Sequence, residues 1–229
     1  MISIVTHCVG GFYPRLLCYQ LTSLIDQDDC VPTVVHSLLD DPTQSVLNFF
    51  RDRARVDSIG LEPNEVCRRA IGRNMAAREN ISDWIFFADA DYVFAPGAMV
   101  KLLETLNGLP DGVVLAYPRS VMASATHEAG ENMIRRVNPP QLATLLSSDR
   151  FEPMKYSKAI GGCQIVRGAW AREHGYLPSD GWQTPPTKAE WQETREDVAF
   201  RRQVGNKGVA IDVQGIYRIR HRRPGKWVM

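Results

Sequence analysis

The sequence lacks any apolar run of the roughly 20 residues that a membrane-spanning helix needs. Its start also lacks a basic stretch leading into an apolar segment, which is the pattern of an export signal. The five cysteines form no CxxC pair, and an odd number cannot all be joined in disulfides. These absences predict a cytoplasmic protein with reduced thiols, without a transmembrane segment and without a zinc site built from cysteine.

Neither sign of charge dominates, because 27 lysines and arginines face 26 acidic residues and the net charge is +1. The composition therefore does not indicate a general attraction to DNA or other polyanions. The basic C-terminal run is the exception, and it either binds an anionic group or forms a solvated end. Its members are Arg218, Arg220, His221, Arg222, Arg223 and Lys226.

Strand-like and helix-like segments alternate along the chain. The predicted strands are residues 2–9, 31–39, 56–61, 84–88, 113–117, 159–166, 209–212 and 216–219. The predicted helices are residues 14–25, 42–51, 64–80, 96–108 and 196–203, with a helical turn at 170–173. Alternation of this kind predicts one α/β domain over residues 1–229, Rossmann-like, with a mostly parallel sheet covered by helices on both faces.

The periodicity weakens between residues 121 and 158, where only 141–146 is helix-like. We expect this segment to be a variable excursion over one face of the sheet. Residues 181–186, which include Trp182, are expected to form a loop.

Two carboxylates follow the most apolar predicted strand, at Asp89 and Asp91. Ligands of open α/β sheets bind beyond the carboxyl ends of the strands. Carboxylate oxygens at that edge suit Mn2+ or Mg2+, which would bridge to diphosphate oxygens. The alternative is that one of these aspartates caps the following turn.

A longer pattern surrounds this pair. Arg73 and Asn74 lie in the helix before the apolar strand, Gly161 and Gly162 lie in a later strand, and the pair Glu196-Asp197 opens a helix. A closing strand then leads to His221. This order resembles glycosyltransferase family 2 over most of the chain, except residues 121–158. The resemblance implies a GT-A fold and transfer of a sugar from a nucleotide diphosphate with inversion, most often from a UDP-sugar.

The resemblance also implies roles for individual residues. Asp89, Asp91 and His221 would hold the metal, and Asp197 would act as the base with Glu196 orienting it or the acceptor. Contacts to the nucleotide-sugar are expected from Thr6, His7, Asp40 or Asp41, Arg69, Arg73 and Ala90. Arg222, Arg223 and Lys226 would close over the diphosphate, and Gly161, Gly162 and Trp182 would face the acceptor. Residues 1–118 then form the nucleotide-sugar half and residues 119–229 the acceptor half.

Two departures from the family pattern limit these assignments. The first strand ends Thr6-His7-Cys8 where members commonly have a Pro-Thr-Tyr-like run, and no Gln-x-x-Arg-Trp follows Asp197. The second departure argues against a processive polysaccharide synthase. The acceptor stays open among glycans, lipid-linked sugars, proteins and hydroxymethylated DNA bases. A non-catalytic nucleotide-sugar-binding domain and a nucleotidyltransferase are the alternative functions.

Overall fold

A computed structural model describes residues 1–9, 13–185 and 195–222. Its strands are β1 (Ile2–Cys8), β2 (Cys30–Ser37), β3 (Asp57–Leu61), β4 (Trp84–Asp89), β5 (Tyr92–Phe94), β6 (Leu115–Pro118), β7 (Ser120–Ser124), β8 (Phe151–Lys155), β9 (Cys163–Arg167), β10 (Val209–Ile211) and β11 (Ile216–Arg218). Its helices are α1 (Tyr13–Thr22), α2 (Asp41–Phe50), α3 (Pro63–Val66), α4 (Arg69–Glu79), α5 (Ala98–Asn107), α6 (His127–Arg135), α7 (Gly168–His174), α8 (Asp180–Gln183) and α9 (Glu196–Val204).

The large sheet has seven strands in the order β10-β6-β9-β4-β1-β2-β3. All neighbouring pairs are parallel except the two that involve β9, which runs antiparallel to both β4 and β6. A second sheet has the order β5-β11-β7-β8. The predicted mostly parallel α/β sheet is therefore confirmed.

Both faces of the large sheet are covered. Along β1, Ile2 and Ile4 join the apolar cluster that contains α5, whereas Val5 joins the cluster that contains α4 and α9. On β4, Phe86 belongs to the cluster with α5 and Phe87 to the cluster with α4 and α9, and both are fully buried. Each such side chain contributes roughly 1.5–3 kcal/mol on burial, so the central strands anchor the fold. The strand end that carries Asp89 therefore rests on a rigid support.

The helix predicted over residues 64–80 is divided into α3 and α4. Arg68 breaks it, because its backbone is extended at φ −98° and ψ 96°. Its side chain donates from Nε to the Thr184 carbonyl at 3.3 Å and lies over the Trp182 ring. A tertiary contact thus overrides the helical propensity of this stretch.

The segment between residues 121 and 158 contains regular structure that the sequence pattern did not predict, namely β7, α6 and β8. The helix predicted at 141–146 is wrong. There, the Ala143 N–H donates to the Thr22 hydroxyl at 2.9 Å, and the Leu146 N–H donates to the Asp149 carboxylate at 2.8 Å. These bonds replace the i to i−4 bonds of a helix.

Two further differences are small. Residues 181–183, expected in a loop, belong to the single turn α8, and β11 belongs to the second sheet. In the part of the chain that the structure describes, none of the helices combines the length and apolar character needed to span a bilayer.

Candidate functional site

A cleft of about 260 Å3 opens at the carboxyl edge of β4. Asp89 is the last residue of β4, and Asp91 follows in the turn to β5. The cleft is lined by Tyr13, Asp89, Asp91, His127, Met154, Arg218, Arg220 and His221. The structure therefore brings together the three residues predicted as metal ligands.

Asp91 is the most enclosed acid of the cleft, with only 4% of its surface exposed. Its Oδ2 accepts a bond from Arg218 Nε at 2.9 Å. Its Oδ1 is buried and has no hydrogen-bond partner among the described residues. Burial raises the pKa of the Asp91 carboxyl, and the Arg218 charge opposes that shift. A buried acceptor without a donor is costly in isolation, so Oδ1 marks a place for a cation or polar group.

Arg218 occupies this position because β11 pairs with β5, which sets Arg218 opposite Tyr92. Its guanidinium lies over the Tyr92 ring and donates to the Tyr156 hydroxyl at 3.3 Å. The Tyr156 hydroxyl is in turn 2.7 Å from that of Tyr92. Sequence reasoning placed Arg218 only in the basic C-terminal run, because the pairing of β11 with β5 has no local signal.

His221 lies three residues after β11, with Nε2 3.9 Å from Asp91 Oδ2. The chain reaches this point through an Ile219 N–H bond to the Asp91 carbonyl at 2.8 Å. This backbone bond holds the closing segment against the turn that carries Asp91.

Asp89 also lines the cleft, and Arg69 Nη1 lies 3.1 Å from its Oδ1. Gly162 lies against the same carboxylate, since a Cβ there would come within 2.2 Å of Asp89 Oδ2. The Asp89 N–H also bonds to the Gly162 carbonyl at 3.1 Å. Gly162 is therefore required for this close approach of backbone to acid.

Glu196 and Asp197 begin α9 after Arg195, whose φ is 39°. Glu196 is 6% exposed and accepts a bond from the Ala70 N–H at 3.4 Å. Burial raises the pKa of Glu196, with Arg73 and Arg69 opposing the shift. Asp197 is more open, and its Oδ2 accepts from Arg201 Nη1 at 2.9 Å. The two acids of this pair therefore lie in different environments.

The glycine pair joins the two acidic pairs. A Cβ on Gly161 would lie 3.3 Å from the Asp197 Cβ, while Gly162 contacts Asp89. Adjacent backbone positions thus lie against the predicted base and the predicted metal motif, which places both on one edge of the sheet.

Arg73 lies beneath this edge with only 1% of its surface exposed. It donates from Nη2 to the Gly161 carbonyl at 2.6 Å and from Nη1 to the Tyr176 hydroxyl at 2.9 Å. Gln164 Oε1 is a third acceptor at 3.4 Å. The structure therefore places Arg73 as a support for the glycine pair, away from any open surface of the cleft.

Three other residues expected at the nucleotide-sugar are also enclosed. His7 lies in β1 beside Asp89, and neither of its ring nitrogens has a hydrogen-bond partner within the described ranges. Burial lowers the pKa of His7, and the nearby Arg73 and Arg69 lower it further, so this imidazole is neutral. Thr6 is buried with its hydroxyl oxygen likewise lacking a partner there, and Ala90 is fully buried.

Asp40 is the N-cap of α2, accepting from the Thr43 N–H at 3.3 Å and the Thr43 hydroxyl at 2.6 Å. Asp41 is exposed in the first turn of that helix. Arg222 is exposed, and its N–H bonds to Glu131 at 3.3 Å. Arg223 and Lys226 lie outside the described residues.

The described residues contain no group of three or more His, Cys, Asp or Glu side chains already arranged around one metal position. The chemistry of the donors nevertheless suits a hard divalent cation, because Asp91 Oδ1 is buried without a partner in the described ranges and His221 lies beside the same carboxylate. Asp91 and His221 are thus the two residues that fit a metal best.

The architecture is that of a GT-A domain, a nucleotide-sugar-binding sheet with an acidic site at its carboxyl edge. A family model described as Glycosyl transferase family 2 matches residues 40–175, more than half of the chain. The chain therefore belongs to glycosyl transferase family 2, a family of enzymes that transfer sugars. The predictions of family, fold and enzyme class are confirmed.

Solved structures share this fold at low sequence identity. S. aureus TarS 1-349 in complex with UDP superposes with a TM-score of 0.62 at 15% identity, over 94% of this chain and 59% of that one. The mannosyltransferase PcManGT from Pyrobaculum calidifontis, in complex with GDP-Man and Mn2+, gives 0.55 at 15% identity, over 93% and 56%. The inositol-1-phosphate CTP transferase from T. maritima gives 0.50 at 13% identity, over 96% and 89%. This chain thus spans about 60% of the TarS 1-349 length. The comparison with curated protein sequences found no significant match.

Proposed function

We propose that this protein transfers a sugar from a nucleoside diphosphate, with UDP as the first choice, to an acceptor hydroxyl with inversion. The observation that carries the proposal is the cleft at the end of β4, where Asp91 offers, beside His221, a buried oxygen that no other described residue contacts through a hydrogen bond. The Glu196–Asp197 pair lies at the same sheet edge, because Gly161 lies against Asp197 and the adjacent Gly162 lies against Asp89. Family membership supports sugar transfer as the reaction.

Asp91 and His221 would hold a divalent cation, with Asp89 at the cleft beside them. Such a cation, when bound, supplies positive charge against the negative charge that builds on the leaving diphosphate. Arg218 keeps Asp91 Oδ2 occupied, so Oδ1 is the oxygen that we assign to the cation. Arg218 and Arg220 add positive charge to the lining of the cleft, which favours a diphosphate there.

Asp197 is the base that we propose for the acceptor. Its Oδ2 accepts a hydrogen bond from Arg201. The Arg201 guanidinium also donates to the Ala159 carbonyl at 2.7 Å and is therefore fixed. We assign the acceptor proton to Oδ1. As the acceptor oxygen bonds to the anomeric carbon, its proton passes to Asp197, and the bond to the diphosphate breaks with its electron pair on the leaving oxygen.

The sheet alone does not separate sugar transfer from nucleotide transfer, because the T. maritima CTP transferase has a similar fold. The acidic pair at the start of α9 favours the sugar transferase, since it supplies a base for the acceptor. A domain that binds the donor without turnover would show nucleotide binding and no release of diphosphate.

The proposal is tested by thermal unfolding of the full chain with UDP, GDP and CDP, each with and without manganese. UDP with manganese at about 100 times its Kd should raise the Tm by about 5–10 °C. Asp91→Asn should abolish the manganese-dependent part of that rise, because it removes the ligand charge.

Asp212→Asn is the matched control, since Asp212 forms a similar bond with Arg119, at 2.8 Å, in an exposed pair outside the cleft lining. It should leave the nucleotide response unchanged. An equal manganese-dependent rise in wild type and Asp91→Asn would reject the cation site, and no rise with any nucleotide would reject the donor class.

A further inference from the structure

The closing segment that carries His221 is held on one side by β7 and α6. Its Arg220 N–H donates to the Ser124 hydroxyl at 2.9 Å, and Arg220 Nη1 donates to the Ala125 carbonyl at 3.3 Å. The Arg222 N–H donates to Glu131 of α6 at 3.3 Å. The residues on either side of His221 are therefore fixed by the segment whose sequence pattern was weakest.

Gly130 lies at the closest point of this contact. A Cβ built on Gly130 would stand 1.8 Å from the Arg220 carbonyl oxygen and 2.8 Å from its carbonyl carbon. Both are backbone atoms, so no side-chain rotation can relieve the overlap. The Thr126 hydroxyl caps α6 by accepting from the Ala129 N–H at 3.0 Å, which fixes the helix turn on which Gly130 sits.

We infer that Gly130 is a positioning residue for His221: the missing side chain lets α6 approach the Arg220 backbone and so set the imidazole beside Asp91. The inference rests on the proposed function, because it takes His221 as a metal ligand. The segment 121–158 then serves the donor side of the site as well as any acceptor.

The size of the overlap decides the expected effect. Carbon–oxygen contacts settle at about 3.3–3.6 Å, so Gly130→Ala must push the Arg220 carbonyl away by about 1.5 Å. Functional groups must be held within about 0.5 Å of their working positions. A shift of that size would also move the imidazole of His221, the next residue, out of its position beside Asp91.

The test is a manganese titration by calorimetry on the full-length, metal-free chain. Gly130→Ala should weaken manganese binding by about 10–100-fold, the usual effect of losing a residue that orients a ligand. Gly112→Ala is the matched control, since it adds the same methyl group where no heavy atom lies within 4 Å. It should bind manganese as the wild type does.

A second variant guards against a folding defect. Ser124→Ala removes the acceptor of the Arg220 N–H without adding an atom, and it should weaken manganese binding by a smaller factor than Gly130→Ala. Thermal unfolding of the metal-free variants reports whether the fold is intact. If Gly130→Ala does not fold, unchanged manganese affinity in Ser124→Ala overturns the inference.

His221→Ala separates this inference from the proposed function. Weaker binding in His221→Ala with normal binding in folded Gly130→Ala overturns only the role of Gly130. Normal binding in His221→Ala overturns the assignment of His221 as ligand, and with it the role of Gly130.

Discussion

Two acidic pairs meet at the same sheet edge, and they are built differently. In the pair Asp89–Asp91, a strand end and a tight turn carry the acids, and the buried member bonds to Arg218 from a distant strand. In the pair Glu196–Asp197, a helix start carries both, and the half-buried Asp197 bonds to Arg201 one turn later. The first pair therefore depends on tertiary pairing of strands, whereas the second is largely assembled within one helix.

The two pairs also differ in the exposure of the acids that arginines hold, and in the first pair Asp89 is held as well, by Arg69. Arg218 fixes the enclosed Asp91, which suits a residue that keeps a cation in place. Arg201 fixes Asp197, which is 32% exposed at its side chain and can meet an acceptor from solvent. This difference supports the roles that we propose, cation binding for the first pair and proton transfer for the second.

The largest expected effect is on UDP release, and it distinguishes the Glu196–Asp197 pair from the Asp89–Asp91 pair. Asp197→Asn should lower UDP release from UDP-sugars by about 100-fold to 10,000-fold, the range for loss of a general base. The thermal shift with UDP and manganese should stay as in the wild type, because the donor side is untouched. Glu128→Gln is the control, since it removes an exposed acid from the first turn of α6. Near-normal release in Asp197→Asn would remove Asp197 from the mechanism.

A smaller effect, on the free energy of unfolding, tests the support that α4 gives to both acidic pairs. Arg69 and Arg73 both belong to α4, and the first pairs with Asp89 while the second bonds beneath Gly161. Arg73→Met should lower the free energy of unfolding by about 2–3 kcal/mol, since hydrogen bonds from a charged group are lost in the core. Arg78→Met, on an exposed position of the same helix, is the control.

Urea denaturation of the two variants measures this difference. Equal stability of Arg73→Met and Arg78→Met would contradict the supporting role and return Arg73 to the list of possible ligand contacts.

The smallest effect concerns the buried Glu196. Its pKa is raised above 4.5 by burial, so the folded state binds the proton more tightly than the unfolded chain does. The wild type should therefore lose stability relative to Glu196→Gln as pH rises from about 4.5 through the raised pKa, and the difference should then level off. Denaturation at a series of pH values measures this difference. Exposed Glu104→Gln controls for loss of a charge, and a wild type that gains stability relative to Glu196→Gln as pH rises would contradict the assignment.

The first half of the chain was largely predictable because its signals are local. The apolar runs that became β1, β2 and β4 are bounded by turn residues, and Asp89 follows one directly. Burial on both faces of a parallel strand leaves this kind of continuous apolar pattern. The position of Asp89 directly after an apolar strand could therefore be read from the chain, and its place at the carboxyl edge followed from the topology rule.

The second half was less predictable, because its geometry depends on pairings between distant strands. No feature of the local sequence indicated that β11 would bring Arg218 to Asp91, or that β9 would be antiparallel to its neighbours. α6 had a signal in its Thr126 cap and its buried Met133 and Ile134, but Gly130 in its middle argued against a helix. Gly130, which lowers the helical propensity of this stretch, is the residue that the close approach of the Arg220 backbone requires.

The reversed direction of β9 has a consequence for engineering. Because β9 runs against β4, the chain enters it at the sheet edge that carries Asp89, so Ile160 to Gly162 arrive beside Asp89 from the connection that follows β8. Tyr156 in that connection accepts a bond from Arg218 and has to stay. We propose that libraries confined to residues 157 and 158 would alter acceptor choice and leave the contacts around Asp91 in place.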